Sequence, residues 1–148
     1  MRYLIDTTVL IPYFAGDQHA MALLRHLIPD GIAVSILSYL EAYQGAIEEA
    51  DPEAAKQQFT AFFGGIPVLP VSPAVARRCA EVRSLLKGQG KNPRKRAFDL
   101  VIAATALEHG LEIVTHNVGD YKDIPDRKSS EMRGNEQSAA GEERIHSL

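Results

Sequence analysis

Four acidic residues stand where solvation alone explains them poorly. Asp6 closes the apolar run Leu4-Ile5, and Glu41 falls in the first turn of a helix that follows a second apolar run. Asp99 is set among Phe98, Leu100, Val101 and Ile102, and Asp120 comes after Thr115 and Asn117, just past a last apolar run. A carboxylate in apolar surroundings is rarely left without a partner. If the four meet, like charges a few ångströms apart raise one another's pKa and weaken the fold. A hard divalent cation removes that conflict, and a set of carboxylates with an amide suits Mg2+ or Mn2+ rather than zinc. Plainer roles exist for three of the four, Asp99 being the exception. Asp6 can cap the turn after its strand, Ser38-Tyr-Leu-Glu41 forms a capping box, and Asp120 can cap a short final turn.

Other chemistries find little support. The five histidines (His19, His26, His109, His116, His146) form no helix-spaced metal pair. Gly88-Gln-Gly90 lacks the third glycine and the preceding strand of a phosphate loop, and no G-x-S-x-G turn occurs. The single cysteine, Cys79, excludes an internal disulfide and an all-cysteine metal site. It reads as a small apolar helix residue. A net charge of −3 announces no nucleic-acid partner. The total hides five basic residues and no acid between Lys87 and Arg96: Lys87, Lys91, Arg94, Lys95 and Arg96. Such a run is often only a solvated loop, but beside an acidic metal site it is what a polyanionic substrate needs.

The elements that must position these groups follow from periodicity. Arg2–Asp6, Ile32–Ile36, Ile66–Leu69 and Glu112–Thr115 read as strands. Between them, Thr8–Phe14, Gln18–Ile28, Ser38–Glu49, Pro52–Phe63, Ser72–Lys87 and Ala97–His109 read as helices, the last one apolar all round and therefore buried. Alternating strands and helices predict an α/β sandwich with a mainly parallel sheet. Ligands of such sheets bind beyond the carboxyl ends of the strands, the edge where all four acids are expected. The 148 residues, with 45% hydrophobic and 24% charged, suit one globular domain. Neither a secretion signal nor a membrane span is read, so the expected setting is the cytoplasm. Residues 126–148 carry nine charged and five hydrophobic residues, too few to offset the entropy of ordering, so a polar, mobile tail is expected after a domain of residues 1–125. A short amphipathic helix over Glu142–Leu148 is the alternative.

Together these segments resemble the PIN-domain nucleases, and within them the VapC-type toxins of type II toxin–antitoxin pairs. Leu4-Ile5-Asp6-Thr7-Thr8-Val9-Leu10 looks like the opening strand with its first aspartate, and Ser35 to Gly45 like the segment bearing the glutamate. Asp99-Leu-Val-Ile-Ala-Ala-Thr-Ala-Leu-Glu-His-Gly110 is similar to the helix with the third acid. Thr115-His-Asn117-Val-Gly-Asp120-Tyr121 looks like the closing T-x-N-x-x-D-F segment, with Tyr where Phe is usual. The likeness spans about residues 1–125.

The resemblance implies a three-layer α/β/α sandwich with four to five strands and an Mg2+- or Mn2+-dependent endoribonuclease. It carries Asp6, Glu41 and Asp99 over as the metal-binding core, and Asp120 as a supporting acid acting through water. Thr7, Thr115 and Asn117 become groups that orient carboxylates or waters. Lys91, Arg94, Lys95 and Arg96 become RNA contacts. The implied partners are an RNA substrate, a cognate antitoxin that places a cationic side chain in the acidic pocket, and a second copy of the chain, docked through the Gln18–Ile28 stripe or Tyr13 and Phe14. Core packing is the plainer role for that stripe. Relatives usually close with a short apolar strand. Here Asp123-Ile-Pro-Asp126-Arg-Lys-Ser-Ser turns polar instead, which implies a missing or diverged fifth strand. The rival readings are a PIN-like module that binds RNA or protein without cutting, and a nuclease that is not a toxin.

Overall fold

The computed structural model describes residues 1–125 and 144–147. The chain begins with strand β1 (Tyr3–Ile5), helix α1 (Thr7–Phe14), helix α2 (Gln18–Leu27) and strand β2 (Ile32–Ser35). Helices α3 (Ile36–Ile47) and α4 (Pro52–Phe63) precede the two-residue strand β3 (Val68–Leu69). Helices α5 (Pro73–Gly88) and α6 (Ala97–His109) then lead to strand β4 (Glu112–Thr115), and strand β5 (Arg144–Ser147) comes last.

The sheet runs in the order β3-β2-β1-β4-β5. The first four strands are parallel, with Tyr3 opposite Ile32, Leu4 opposite Ile113 and Val34 opposite Val68. Because successive side chains of a strand point to opposite faces, each strand feeds two cores. Leu4, Ala33 and Ile113 pack with α5 and α6, including Val75, Cys79, Leu86, Leu100 and Ala103. Tyr3, Ile5, Ile32, Val34 and Val114 pack on the other side with Val9, Leu10, Leu24, Leu27 and Phe59. The expected α/β/α sandwich is therefore present. Cys79 is buried and free, as a small apolar residue would be. No helix among the described residues is long and apolar enough to cross a membrane.

Helix bounds at Pro52–Phe63 and Ala97–His109 match expectation, the latter ending at Gly110 in the left-handed conformation (φ 66°). Three expectations are narrowed or corrected. Helix α3 starts at Ile36 because Ser35, the last residue of β2, is its cap and accepts from the Leu37 amide at 3.0 Å. Ser38 is thus inside the helix and buried, and no capping box joins it to Glu41. The apolar stripe on α2 and the rings of Tyr13 and Phe14 mostly serve the core, the plainer of the two expected roles, while Ile28 at the end of the stripe stays exposed. Leu24 and Leu27 are buried, and Phe14 stacks against Phe59, Phe62 and Phe63 at centroid distances of 5.8, 5.3 and 6.3 Å. Finally, residues 144–147 join the sheet edge antiparallel to β4, with Val114 opposite Ile145. Of the two expectations for the fifth strand, missing or diverged, the second holds, and the alternative of a helix over Glu142–Leu148 does not hold at residues 144–147. The rest of the expected tail, residues 126–143 and 148, lies outside the described residues.

Candidate active site

From β1 the chain winds outward to β2 and β3, then crosses back to place β4 on the other side of β1. Such a reversal opens a crevice at the carboxyl ends of the two diverging strands. Asp6 follows β1, Thr115 ends β4, and the amide of Asp6 continues the pairing by donating to the Val114 carbonyl at 3.0 Å. Glu41 enters from α3, Asp99 from the first turn of α6, and Asn117 and Asp120 from the turn after β4. All four acids, with Thr7, Thr8 and Asn117, line one cavity of about 460 Å³. No basic residue is among its lining.

Asp6 is only 3% exposed, yet three hydroxyls satisfy it. Thr8 and Thr115 both donate to its Oδ2 at 2.8 Å, and Tyr121 donates to its Oδ1 at 3.1 Å. Each threonine hydroxyl has one proton, and both are directed at Asp6. Their 3.2 Å mutual approach is then the geometry of two donors converging on one acceptor. Each also accepts a backbone N–H, His116 to Thr8 and Asn117 to Thr115, both at 3.0 Å. The loop after β4 is so wired through hydroxyls to the carboxylate after β1. Although Asp6 occupies the cap position of α1, its side chain makes no capping bond.

Asp99 lives under opposite conditions. Burial, the charges of Asp120 and Asp6, and the more weakly felt Glu41 push its pKa up to about 6, against the pull of Arg96. Glu41 is also raised, by burial and by Asp6, with a hydrogen bond from Thr7 opposing the shift. The Thr7 hydroxyl also lies 3.0 Å from that of the buried Ser38. Tyr121 is fully buried, and burial together with the nearby carboxylates holds its phenol protonated far above the ordinary value, so its proton stays available to Asp6.

The basic run divides. Arg94 and Lys95 are exposed and make no ion pair among the described residues, whereas Lys91 and Arg96 both bind Asp123. Thr8, Tyr121 and Asp123 escaped the sequence reading. The one signal for Tyr121 was its place: a tyrosine where the T-x-N-x-x-D-F pattern has Phe needs a partner for its hydroxyl once buried.

The donor set is carboxylate and amide oxygen, the chemistry of a hard cation. Among the described residues no three acids, histidines or cysteines stand together closely enough to hold one ion. The oxygen donors present fit an ion such as Mg2+, which is bound through one or two carboxylates and keeps several waters.

Comparisons with known proteins agree with this geometry. The PIN domain family profile matches residues 3–125. Ribonuclease VapC19 of Mycobacterium tuberculosis (strain ATCC 25618 / H37Rv) is 30% identical over 125 residues, covering 83% of this chain and 94% of that protein. The tRNA(fMet)-specific endonuclease VapC of Shigella flexneri is 25% identical over 124 residues, covering 84% and 92%. Among solved structures, a toxin–antitoxin complex from Klebsiella pneumoniae superposes with a TM-score of 0.67 at 28% identity, over 83% of this chain and 92% of that one. With the strand order, the crevice at the β1/β4 switch and the acids that line it, these matches give one answer: the chain belongs to the PIN-domain family, among the VapC toxins of type II toxin–antitoxin systems.

Proposed function

We propose that the protein is a divalent-metal-dependent endoribonuclease, the toxin of its pair, which blocks translation by hydrolysing RNA phosphodiesters. The observation that carries this reading is the meeting of Asp6, Glu41, Asp99 and Asp120, from four separate segments, on one cavity without a basic residue in its lining. The names of the ribonuclease and tRNA endonuclease relatives support RNA as the substrate class. A hard cation, Mg2+ or Mn2+, held at Asp6 and Asp99 with Glu41 in support, would supply a Lewis acid and a water acidic enough to attack phosphorus near neutral pH.

The chain's own groups do the rest. The three hydroxyls on Asp6 fix the direction its remaining lone pair faces. Glu41, raised by burial and by Asp6, would accept the proton of the incoming water. Asp120 supports through water, with Asn117 beside it to orient that water, while Thr115 orients Asp6. No protein nucleophile is required, and the products carry 5′-phosphate and 3′-hydroxyl ends. Arg94 and Lys95 contact the RNA backbone. The further partners are a cognate antitoxin, whose cationic side chain suits this acidic cavity, and a second copy of the chain. Exposed Ile36, Leu40, Tyr43 and Ile47 on α3 offer that copy an apolar face.

The test is RNA cleavage by purified protein with Mn2+, compared with Asp6→Ala and Asp99→Ala. Cleavage should vanish in both variants; equal cleavage in all three proteins would overturn the mechanism. The lack of a three-acid cluster among the described residues favours a second reading, a module that binds RNA without cutting it. Tight RNA binding with no product in Mn2+ would select that reading.

A further inference from the structure

The basic run before α6 does not behave as one surface. Arg96 turns inward and grips the far side of the cavity. Its Nη1 donates to Asp123 Oδ2 at 2.7 Å and its Nη2 to Asp123 Oδ1 at 2.9 Å. Nη2 also donates to the backbone carbonyl of Asp120. Lys91 completes the cluster, its Nζ lying 2.7 Å from Asp123 Oδ2. Both side chains of the Arg96–Asp123 pair are 24% exposed, so the fork-to-fork contact is largely shielded from water. The two cations hold the Asp123 carboxyl well below the usual carboxylate range.

The placement of this pair matters more than its strength. Arg96 is three residues before Asp99, and Asp123 is three residues after Asp120. Asp99 and Asp120 face the same cavity and repel one another. Left alone, that repulsion drives the start of α6 and the turn after β4 apart. We propose that Arg96 is a positioning residue: with Asp123 it sets the separation of Asp99 and Asp120 across the cavity, and it is not part of the surface that grips RNA. This rests on the nuclease reading given above.

Asp123→Asn separates the two roles, because they predict opposite results. As a brace, the pair fails when the bidentate charge contact is lost. Cleavage kcat should then fall by roughly 10- to 100-fold, as for a displacement of about 1 Å in a catalytic group, with KM for RNA unchanged. Arg96→Lys keeps the charge but not the fork, and should do the same. If Arg96 instead serves RNA phosphates, Asp123→Asn releases its guanidinium, so KM falls and kcat is kept. In that case Arg96→Lys, which still carries a cation for phosphate, keeps both constants close to wild type. Either of those results overturns the proposal.

A second measurement does not depend on cleavage. Amide hydrogen exchange in metal-free buffer should quicken over residues 117–124 in both variants and stay unchanged in β1 and β2. Wild-type protection over 117–124 would also overturn the brace. If the wild-type protein cuts no RNA, the nuclease reading falls, and exchange alone decides the brace.

Discussion

The two walls of the cavity hold their acids by different means. On the β1/β4 wall, Asp6 is buried deeply and answered by neutral hydroxyls from Thr8, Thr115 and Tyr121. On the α6 wall, Asp99 is half-buried, faces other acids and has only the distant help of Arg96. The first arrangement fixes direction: hydroxyl donors cost little to bury once paired, and they leave the carboxylate one orientation. The second stores repulsion, which a bound cation would relieve. On the reading proposed above the cavity uses both, a rigid carboxylate to set geometry and a strained one to favour a cationic occupant.

The sharpest way to break the contrast is Asp6→Asn. It keeps the shape but disrupts the convergence of donors, since an amide oxygen and an amide NH2 replace two acceptors. RNA cleavage should drop by at least about 100-fold, the scale for losing one preorganised electrostatic group, and the melting temperature should fall too. Asp99→Asn should abolish cleavage to a similar degree but move stability the other way. The folded protein binds the Asp99 proton more tightly than the unfolded chain, whose ordinary value is 3.8, so stability from this group is present below that pH and is lost as pH rises through about 6. At pH 7.5 without metal, removing the charge should stabilise the fold by about 1 kcal/mol once solvent screening of a half-buried group is allowed for. Denaturant melts at pH 5 and 7.5 measure this, and an Asn variant less stable than wild type at pH 7.5 would erase the distinction between the walls.

Tyr121→Phe probes the hydroxyl wall more gently. It leaves Asp6 Oδ1 short of a buried donor and should destabilise by about 1–2 kcal/mol in a denaturant melt. Smallest of all, Arg94→Ala and Lys95→Ala lie outside both walls. Each should weaken RNA binding and reduce its salt slope by about one, with kcat retained.

Much of this was legible beforehand. Helices α4 and α6 carry their own signals: Asp51 and Pro52 open α4 ahead of a phenylalanine stripe, and Gly110 closes α6. The acids could be assigned to one edge because strand ends converge in a parallel sheet. The start of α3 could not be read, since Ser35 and Ser38 are equal as caps in sequence and only the exit of β2 selects the first. Strand β5 was missed because an edge strand joins through backbone bonds, which leave a faint side-chain pattern, and the polar residues before it resemble linker. Tyr121 and Asp123 depended on contacts across more than 20 residues, and nothing local marks a hydroxyl or carboxylate that will find its partner so far away. Thr8 donates to Asp6 only two residues away, but a threonine after a strand-end aspartate is too common to stand out in sequence.

The position of β1 at the centre of the sheet has a consequence for synthesis. Asp6 is synthesised well before Thr115, which orients it and follows 109 residues later. At about 5–20 residues per second, several seconds pass in which the nascent polypeptide holds the first acid without its wall. Fragments released before β4 therefore lack Thr115 and Tyr121, and with them the assembled pocket.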